Sequence, residues 1–301
     1  MFTSFKEIES FVLGQNMKKR IALANAHDEP ALSAVVHARR RGVVEGTLIG
    51  KKDEIIQMLH DMGENESDYE IIDFDGEELE SAKIAIKLVK EGKADIPMKG
   101  ILQTSNFARA ILNRETGLIP ASGRRLVSQC GIFEYEGRFV MITDAAININ
   151  PDVDTQIGIV ENALPVAKAL GIDCPKVAVL SAVENVTEKM ASTVTAAEIA
   201  KRGVPGCIIS GPLALDGAIS MESVKHKSIQ DPVAGQADIL LVPFIEIGNV
   251  LYKACTYIAG KTMASTICGA SCPVVITSRA DTPDSKYYSI LMAVLRCIKG
   301  C

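Results

Sequence analysis

The stretch IALANAHDEPALSAVVHARRRGVVEGTLIG, Ile21 to Gly50, decides the architecture. Ile21 to Ala24 is an apolar run of strand length. Asp28 then stands where a helix cap belongs, with Pro30 in the first turn of a helix that runs through ALSAVVHARRRG. GTLIG follows as a second strand. A strand, a helix and a strand in close succession predict parallel pairing, because the helix carries the chain back to the starting edge.

The same rhythm continues in both directions. EIIDF reads as a strand, EELESAKIAIKLVKEG as a long helix ending at Gly92, and ADIPMKG as a strand entering a loop. FVMITDA, from Phe139, is another strand. A second series starts near Asp152, where Asp154 is the expected cap of TQIGIVENALPVAKALG, a helix that contains Pro165. KVAVLSAVE, AAEIAKRG, GCIISGPLALDG, ADILLVPFIEIGN, VLYKACTYIAG, CPVVITSRAD and YYSILMAVLRCIKG complete it. The expected fold class is α/β with parallel sheets in two lobes, and TDAAININPD is the expected hinge.

The 301 residues, 48% hydrophobic, can bury a core at the size where chains divide into two. The net charge is −5, without a long basic run, which disfavours a nucleic-acid partner. The N-terminus reads as an amphipathic helix and not a signal peptide, and no apolar run approaches a membrane span. A soluble, cytoplasmic protein is expected. The eight cysteines show no C-x-x-C and fit a reducing compartment, and no metal is expected.

In parallel α/β sheets, ligands gather at the carboxyl ends of strands. Here those ends carry Lys99-Gly100, Thr143-Asp144, Ser181 to Glu184, Ser210-Gly211-Pro212, Glu246 with Gly248-Asn249, and Ser278-Arg279. Each alone is ordinary loop chemistry; together they outline a ligand site. G-x-G-x-x-G and H-E-x-x-H are absent. AGKT at 259–262 lacks the upstream glycine of a P-loop, since that position is Cys255.

PVVITSRADTPDS, 273–285, presents a hydroxyl, a guanidinium and carboxylates after a β-branched run. Arg279 needs an anion, either a neighbouring carboxylate or a ligand phosphate matched by its planar fork. Ser278 either donates to a reacting oxygen or caps the loop. Asp281 and Asp284 either cap the last helix or accept a proton.

Taken together, AHDEPALSAV, EGKADIPMKGILQTS, FVMITDAAININPD, GCIISGPLALDGAIS, DPVAGQADILLVP, IEIGNVLYKA and ITSRAD resemble the phosphate acyltransferases, the acetyl- and butyryltransferase group, over nearly the whole chain. The resemblance is closer to the butyryl branch. It implies two lobes of the isocitrate/isopropylmalate dehydrogenase type with a cleft between them, 1–143 plus 273–301 and 144–272, and a homodimer or larger homo-oligomer. It implies reversible acyl transfer between CoA and phosphate, with acyl-CoA and phosphate as substrates and no permanently bound cofactor. Ser278 and Arg279 match the family's Ser-Arg pair. The family's aspartate position falls on Ser285 without gaps, which leaves Asp284 by a one-residue shift or Asp281 by proximity. Arg109 corresponds to a family arginine with one residue of offset, and Lys99 is a candidate for further positive charge. Thr143, Asp144, Asn148, Ser210, Gly211, Pro212, Glu246, Gly248 and Asn249 complete the expected binding set. The competing readings are a phosphate acetyltransferase, a decarboxylating dehydrogenase on the same architecture, and a non-catalytic binder of CoA or acyl phosphate.

Overall fold

A computed structural model describes residues 1–120, 124–278 and 280–300. In chain order the elements are α1 (Phe5–Gly14), β1 (Lys19–Ala24), α2 (Glu29–Arg40), β2 (Val44–Gly50), α3 (Lys52–Asp61), β3 (Glu70–Asp73), α4 (Glu78–Lys90), β4 (Ile96–Lys99) and α5 (Thr104–Ile111). β5 (Ser128–Tyr135), β6 (Arg138–Thr143), α6 (Val153–Ala169), β7 (Lys176–Leu180), α7 (Ala191–Arg202) and β8 (Ile208–Leu213) follow. The chain ends with α8 (Leu215–Ile219), α9 (Met221–Lys227), β9 (Ile239–Leu241), α10 (Ile245–Lys253), β10 (Ala264–Cys268) and α11 (Pro283–Lys299).

These elements fall into two compact α/β units. A terminal unit holds Phe5–Arg125 with Ala264–Cys301, and a central unit holds Leu126–Met263 with Met1–Ser4. No described helix is long and apolar enough to cross a membrane.

In the terminal unit β3-β2-β1-β4 form a parallel sheet. β1 and β2 pair as the Ile21–Gly50 stretch predicts, from Lys19↔Val44 to Ala24↔Ile49. Beyond β4 the ladder continues only briefly. Val275 bridges Met98 in parallel, and Val274 bridges Ile267 of β10 antiparallel. The β-branched run is thus a shorter strand than its composition suggests, and Ile276 and Thr277 lie beyond the ladder. α11 then buries Tyr287, Ile290, Leu291 and Leu295 in the core. Each such side chain contributes about 1.5–3 kcal/mol relative to exposure.

In the central unit the order is β5-β6-β9-β7-β8. β6, β9, β7 and β8 are parallel, but β5 and β6 are antiparallel. The sequence pattern predicts parallel strands throughout and carries no signal for β5, so the antiparallel β5–β6 pair is a departure from it. The hairpin is closed by Glu136 and Gly137, both at positive φ, the mirror-image turn that matches strand twist. β5 and β6 pair from Cys130↔Thr143 to Tyr135↔Arg138, so this unit begins near residue 126 and takes in residues that a boundary at 143 separates. At the far end β10 belongs with α11. The Arg296 guanidinium donates to Thr266 Oγ1 at 2.8 Å and the Ile267 carbonyl at 3.0 Å, and the Ser265 N–H donates to Ser289 Oγ at 2.9 Å.

Two expected caps differ. Asp152, not Asp154, caps α6, accepting the Thr155 N–H at 2.8 Å, while Asp154 pairs with Arg202 at 2.8 Å. Asp28 occupies the N-cap position of α2, but its side chain makes no capping bond.

Candidate active site

Ser278 and Asp281 form a closed turn at the carboxyl end of the strand formed by Val274 and Val275. The Asp281 carboxylate accepts the Ser278 N–H at 2.7 Å, and the Asp281 N–H returns to the Ser278 carbonyl at 3.1 Å. Ser278 is exposed, and its Oγ accepts the Ala280 N–H at 3.3 Å. Lys286, only 5% exposed, donates its ammonium to the Asp281 carbonyl. Thr282, and neither aspartate, caps α11 by accepting the Ser285 N–H at 3.2 Å. Burial pushes the Asp281 carboxyl above its ordinary value, against the Ser278 N–H and the Lys286 charge. Burial likewise pulls the Lys286 ammonium down, opposed by Asp281 and Asp28. Asp281 and Lys286 line a pocket of about 370 Å³ with Glu29, Ser33 and His37. Asp284 stands exposed on the first turn of α11. Arg279 lies outside the described residues.

These differences separate the two aspartates as proton acceptors. A base must be deprotonated to work, so activity falls as pH drops through its pKa, and a raised pKa brings that limb nearer neutrality. Asp281→Asn is expected to lower turnover by roughly 10²-fold or more and flatten the acid limb. Asp284→Asn is expected to leave the limb in place. Rate–pH profiles of both variants decide it; an intact limb in Asp281→Asn removes Asp281.

Lys99 is buried, and its ammonium donates to the Gly100 carbonyl at 3.1 Å and the Leu102 carbonyl at 2.9 Å. Its charge closes the turn between β4 and α5. Arg109 is exposed in the last turn of α5.

The central unit gathers Thr143, Asp144, Asn148, Gly248 and Asn249 in one place. Asp144, 2% exposed, accepts five hydrogen bonds, from the N–H groups of Gln129 (3.1 Å), Ala146 (2.9 Å), Ile147 (3.2 Å) and Asn148 (3.0 Å) and from Asn148 Nδ2 (2.6 Å). Asn148 Nδ2 also reaches the Val127 carbonyl at 2.9 Å, and Thr143 Oγ1 donates to the Gln129 carbonyl at 3.0 Å. α10 packs its backbone onto this loop. A Cβ at Gly248 would lie 2.4 Å from the Asp144 carbonyl oxygen, so only glycine fits. Asn249 Nδ2 donates to the Ala145 carbonyl at 3.3 Å. Glu246 is exposed on the first turn of α10.

Ser210, Gly211 and Pro212 lie on β8, the last strand of the central sheet order, where proline is tolerated. Ser210 Oγ donates to the Asp231 carboxylate, which also accepts the N–H groups of Val233 (2.8 Å) and Ala234 (3.1 Å). The GPL and DPVAG motifs are therefore two sides of one hydrogen-bonded corner.

Two further pockets lie at the carboxyl ends of β7 and β9. One, of about 250 Å³, is lined by Asn150, Asp152, Gln156, Ser192, Thr195 and Phe244. Its neighbour, of about 400 Å³, is apolar and lined by Leu180, Leu215, Phe244, Ile247, Val250 and Leu251. Among the described residues no three His, Cys, Asp or Glu side chains group as a metal site.

The Phosphate acetyl/butaryl transferase family matches residues 77–294. A phosphate butyryltransferase of Clostridium acetobutylicum is 43% identical over 301 residues, spanning 98% of both chains. The chain belongs to the phosphate acetyl/butyryl transferase family. A phosphate acetyltransferase of Thermotoga maritima is 38% identical, covering 92% of this chain and 95% of its own. The crystal structure of a branched-chain phosphotransacylase from Enterococcus faecalis has the same fold, with a TM-score of 0.82 and 34% identity over 93% of this chain and 99% of that one.

The family match spans every residue expected in the site, from Lys99 to Asp284. Gln156, Ser192 and Thr195 were not among the expectations. Gln156 sits inside a helix with no local motif, and Ser192 and Thr195 precede the AAEIAKRG stretch that the sequence predicts as helix, whereas α7 starts at Ala191.

Proposed function

We propose that this family member transfers a short-chain acyl group reversibly between CoA and phosphate, with butanoyl-CoA and phosphate giving butanoyl phosphate and CoA. The observation that carries this reading is the 43% identity to a phosphate butyryltransferase along the full length of both chains. The turn of Ser278 and Asp281 supports it by joining an outward hydroxyl to a partly buried carboxylate of raised pKa.

In the direction of acyl-CoA formation, the CoA thiol, of pKa about 8.5, gives its proton to a carboxylate, for which Asp281 is the better placed. The sulfur bonds to the acyl carbon, and the resulting oxyanion accepts hydrogen bonds, one from Ser278. Collapse of that intermediate breaks the carbon–oxygen bond and releases phosphate, held by Arg279. The acyl group is four or five carbons, straight or branched. One methylene is worth only about 1–3 kcal/mol in an apolar pocket, so preference among neighbours is broad.

Purified protein given butanoyl-CoA should release thiol only when phosphate is added, and acetyl-CoA should react more slowly. No phosphate-dependent release from any short acyl-CoA refutes the proposal. The protein is further proposed to form a homodimer or larger homo-oligomer. Tyr257 and Ile258, 63% and 85% exposed beyond α10, support it as apolar surface for a second copy, and light scattering on the eluting protein measures the mass.

A further inference from the structure

Lys286 stands where a lysine is unfavourable. It is 5% exposed and lies in the first turn of α11, which starts at Pro283. A lysine is almost never buried unless its charge is paired, and a cation at a helix N-terminus opposes the helix dipole. Glu29 and Pro30, at the start of α2, line the same pocket, so a second helix start borders it. Filling the space alone would favour a side chain such as methionine, of similar length and without charge.

What the ammonium touches accounts for it. It donates to the Asp281 carbonyl. The backbone ladder of α11 begins one residue later, where the Lys286 N–H donates to the Thr282 carbonyl at 3.0 Å. The helix thus leaves the Asp281 carbonyl outside its ladder, and the Lys286 side chain reaches back to take it up. The carboxylate of Asp281 is fixed separately, by accepting the Ser278 N–H at 2.7 Å. Asp281 is therefore held both at its backbone and at its side chain. The other charged or titratable neighbours come from the α2 side: Asp28 acts on the ammonium, and Glu29 and His37 line the pocket with it. Burial works against the ammonium's charge, and Asp281 supports it more than Asp28 does.

We infer that Lys286 is a positioning residue for acyl transfer: from α11 it anchors the Asp281 carbonyl and so fixes where the Asp281 carboxylate meets the thiol. The inference rests on the acyl-transfer reading above, in which Asp281 takes the proton of CoA. Lys286 acts through Asp281 and touches no substrate in this role. Its charge also favours the ionised carboxylate, opposing the burial that raises the Asp281 pKa. Removing that charge raises the carboxyl further, so a base that works only when deprotonated fails at a higher pH.

The test compares Lys286→Met, which removes charge and donor at similar length, with Lys286→Arg, which keeps both. Rate–pH profiles of the full-length protein with butanoyl-CoA and phosphate are the first readout. In Lys286→Met the plateau is expected to fall about tenfold, the scale of one lost hydrogen bond from a charged group. Its acid limb is expected to move to higher pH, lowering rates on that side about threefold more than on the plateau. Lys286→Arg is expected to keep the limb in place. A uniform loss with the limb unmoved, in step with a lower melting temperature, means a merely structural role and overturns the inference, as do unchanged profiles. The second readout needs no turnover. With the aspartate carboxyl carbons labelled, the NMR signal missing from Asp281→Asn reports Asp281, free of Glu29 and His37. Its titration midpoint is expected at higher pH in Lys286→Met, and an unmoved midpoint overturns the inference. Should Lys286→Met not fold, Lys286→Gln carries the same comparison. Absence of turnover by the unaltered protein, with the midpoint moved, sinks the acyl-transfer reading and leaves the coupling of Lys286 to Asp281 standing.

Discussion

Arg279→Ala is expected to lower kcat/KM for phosphate by roughly 10²- to 10³-fold, the loss typical when one preorganised donor to developing charge is removed. The residue follows Ser278, whose N–H is tied to Asp281 and whose hydroxyl faces solvent. A guanidinium presents two parallel N–H donors to phosphate oxygens, a geometry that an ammonium lacks. Arg279→Lys is therefore expected to recover only a minor part of the loss. The apparent phosphate requirement should rise more than that for the acyl-CoA, because the clamp acts on the phosphoryl oxygens. Initial rates across a phosphate series separate these effects. Unchanged kinetics in Arg279→Ala remove this residue from the site and leave the phosphate to other cations.

Asp144→Ala is expected to produce the largest loss of stability from a single substitution at the candidate site. The carboxylate holds four backbone N–H groups and one side-chain amide inside the central unit. Its removal strands those donors in a buried loop, and each stranded group costs about 1–3 kcal/mol before relaxation. Some donors find water, so a net loss of about 3–5 kcal/mol is expected. At about 2–4 °C per kcal/mol, the melting temperature falls by roughly 10 °C. Asp144→Asn keeps one acceptor oxygen and should recover part of the loss. A shift below about 2 °C in thermal unfolding of Asp144→Ala would show that the loop does not depend on this carboxylate. Gly248 and Asn249 of α10 rest against the same loop, so acyl transfer is expected to fall with stability.

Hydropathy and periodicity carried much of the fold. Ile21 to Gly50 specified a parallel βαβ unit because a buried parallel strand needs a continuous apolar run and its crossover helix needs an apolar face. β5 was not legible. Ser128, Gln129 and Gly131 interrupt its apolar residues, and it is a strand because β6 pairs with it across a turn at Glu136-Gly137. The same hairpin sets where the central unit begins, so that boundary was hidden with it. The caps of α2 and α6 were off for a related reason. Several carboxylates near a helix start satisfy the composition rule, and the local backbone path decides which one reaches a free N–H.

The candidate residues divide along the same line. Sequence alone singled out Ser278, Arg279, Asp144, Ser210 and Gly248 as polar or glycine positions, since residue type and order are local properties, although Ser210 lies within β8 and Gly248 within α10. It could not say what each one does. Lys99 reads as a cation, yet its ammonium is engaged by the carbonyls of its own turn. Asp144 reads as a ligand group, yet it organises a loop. Asp281 and Asp284 were equivalent in the sequence, and only burial beside Ser278 and Lys286 raises the pKa of one while the other stays exposed. Gln156 had no signal at all, because a glutamine on a helix is ordinary until the packing around it seals one oxygen from every donor. Partners, burial and the field at each group are sums over residues distant in sequence, so the tertiary structure alone decided them.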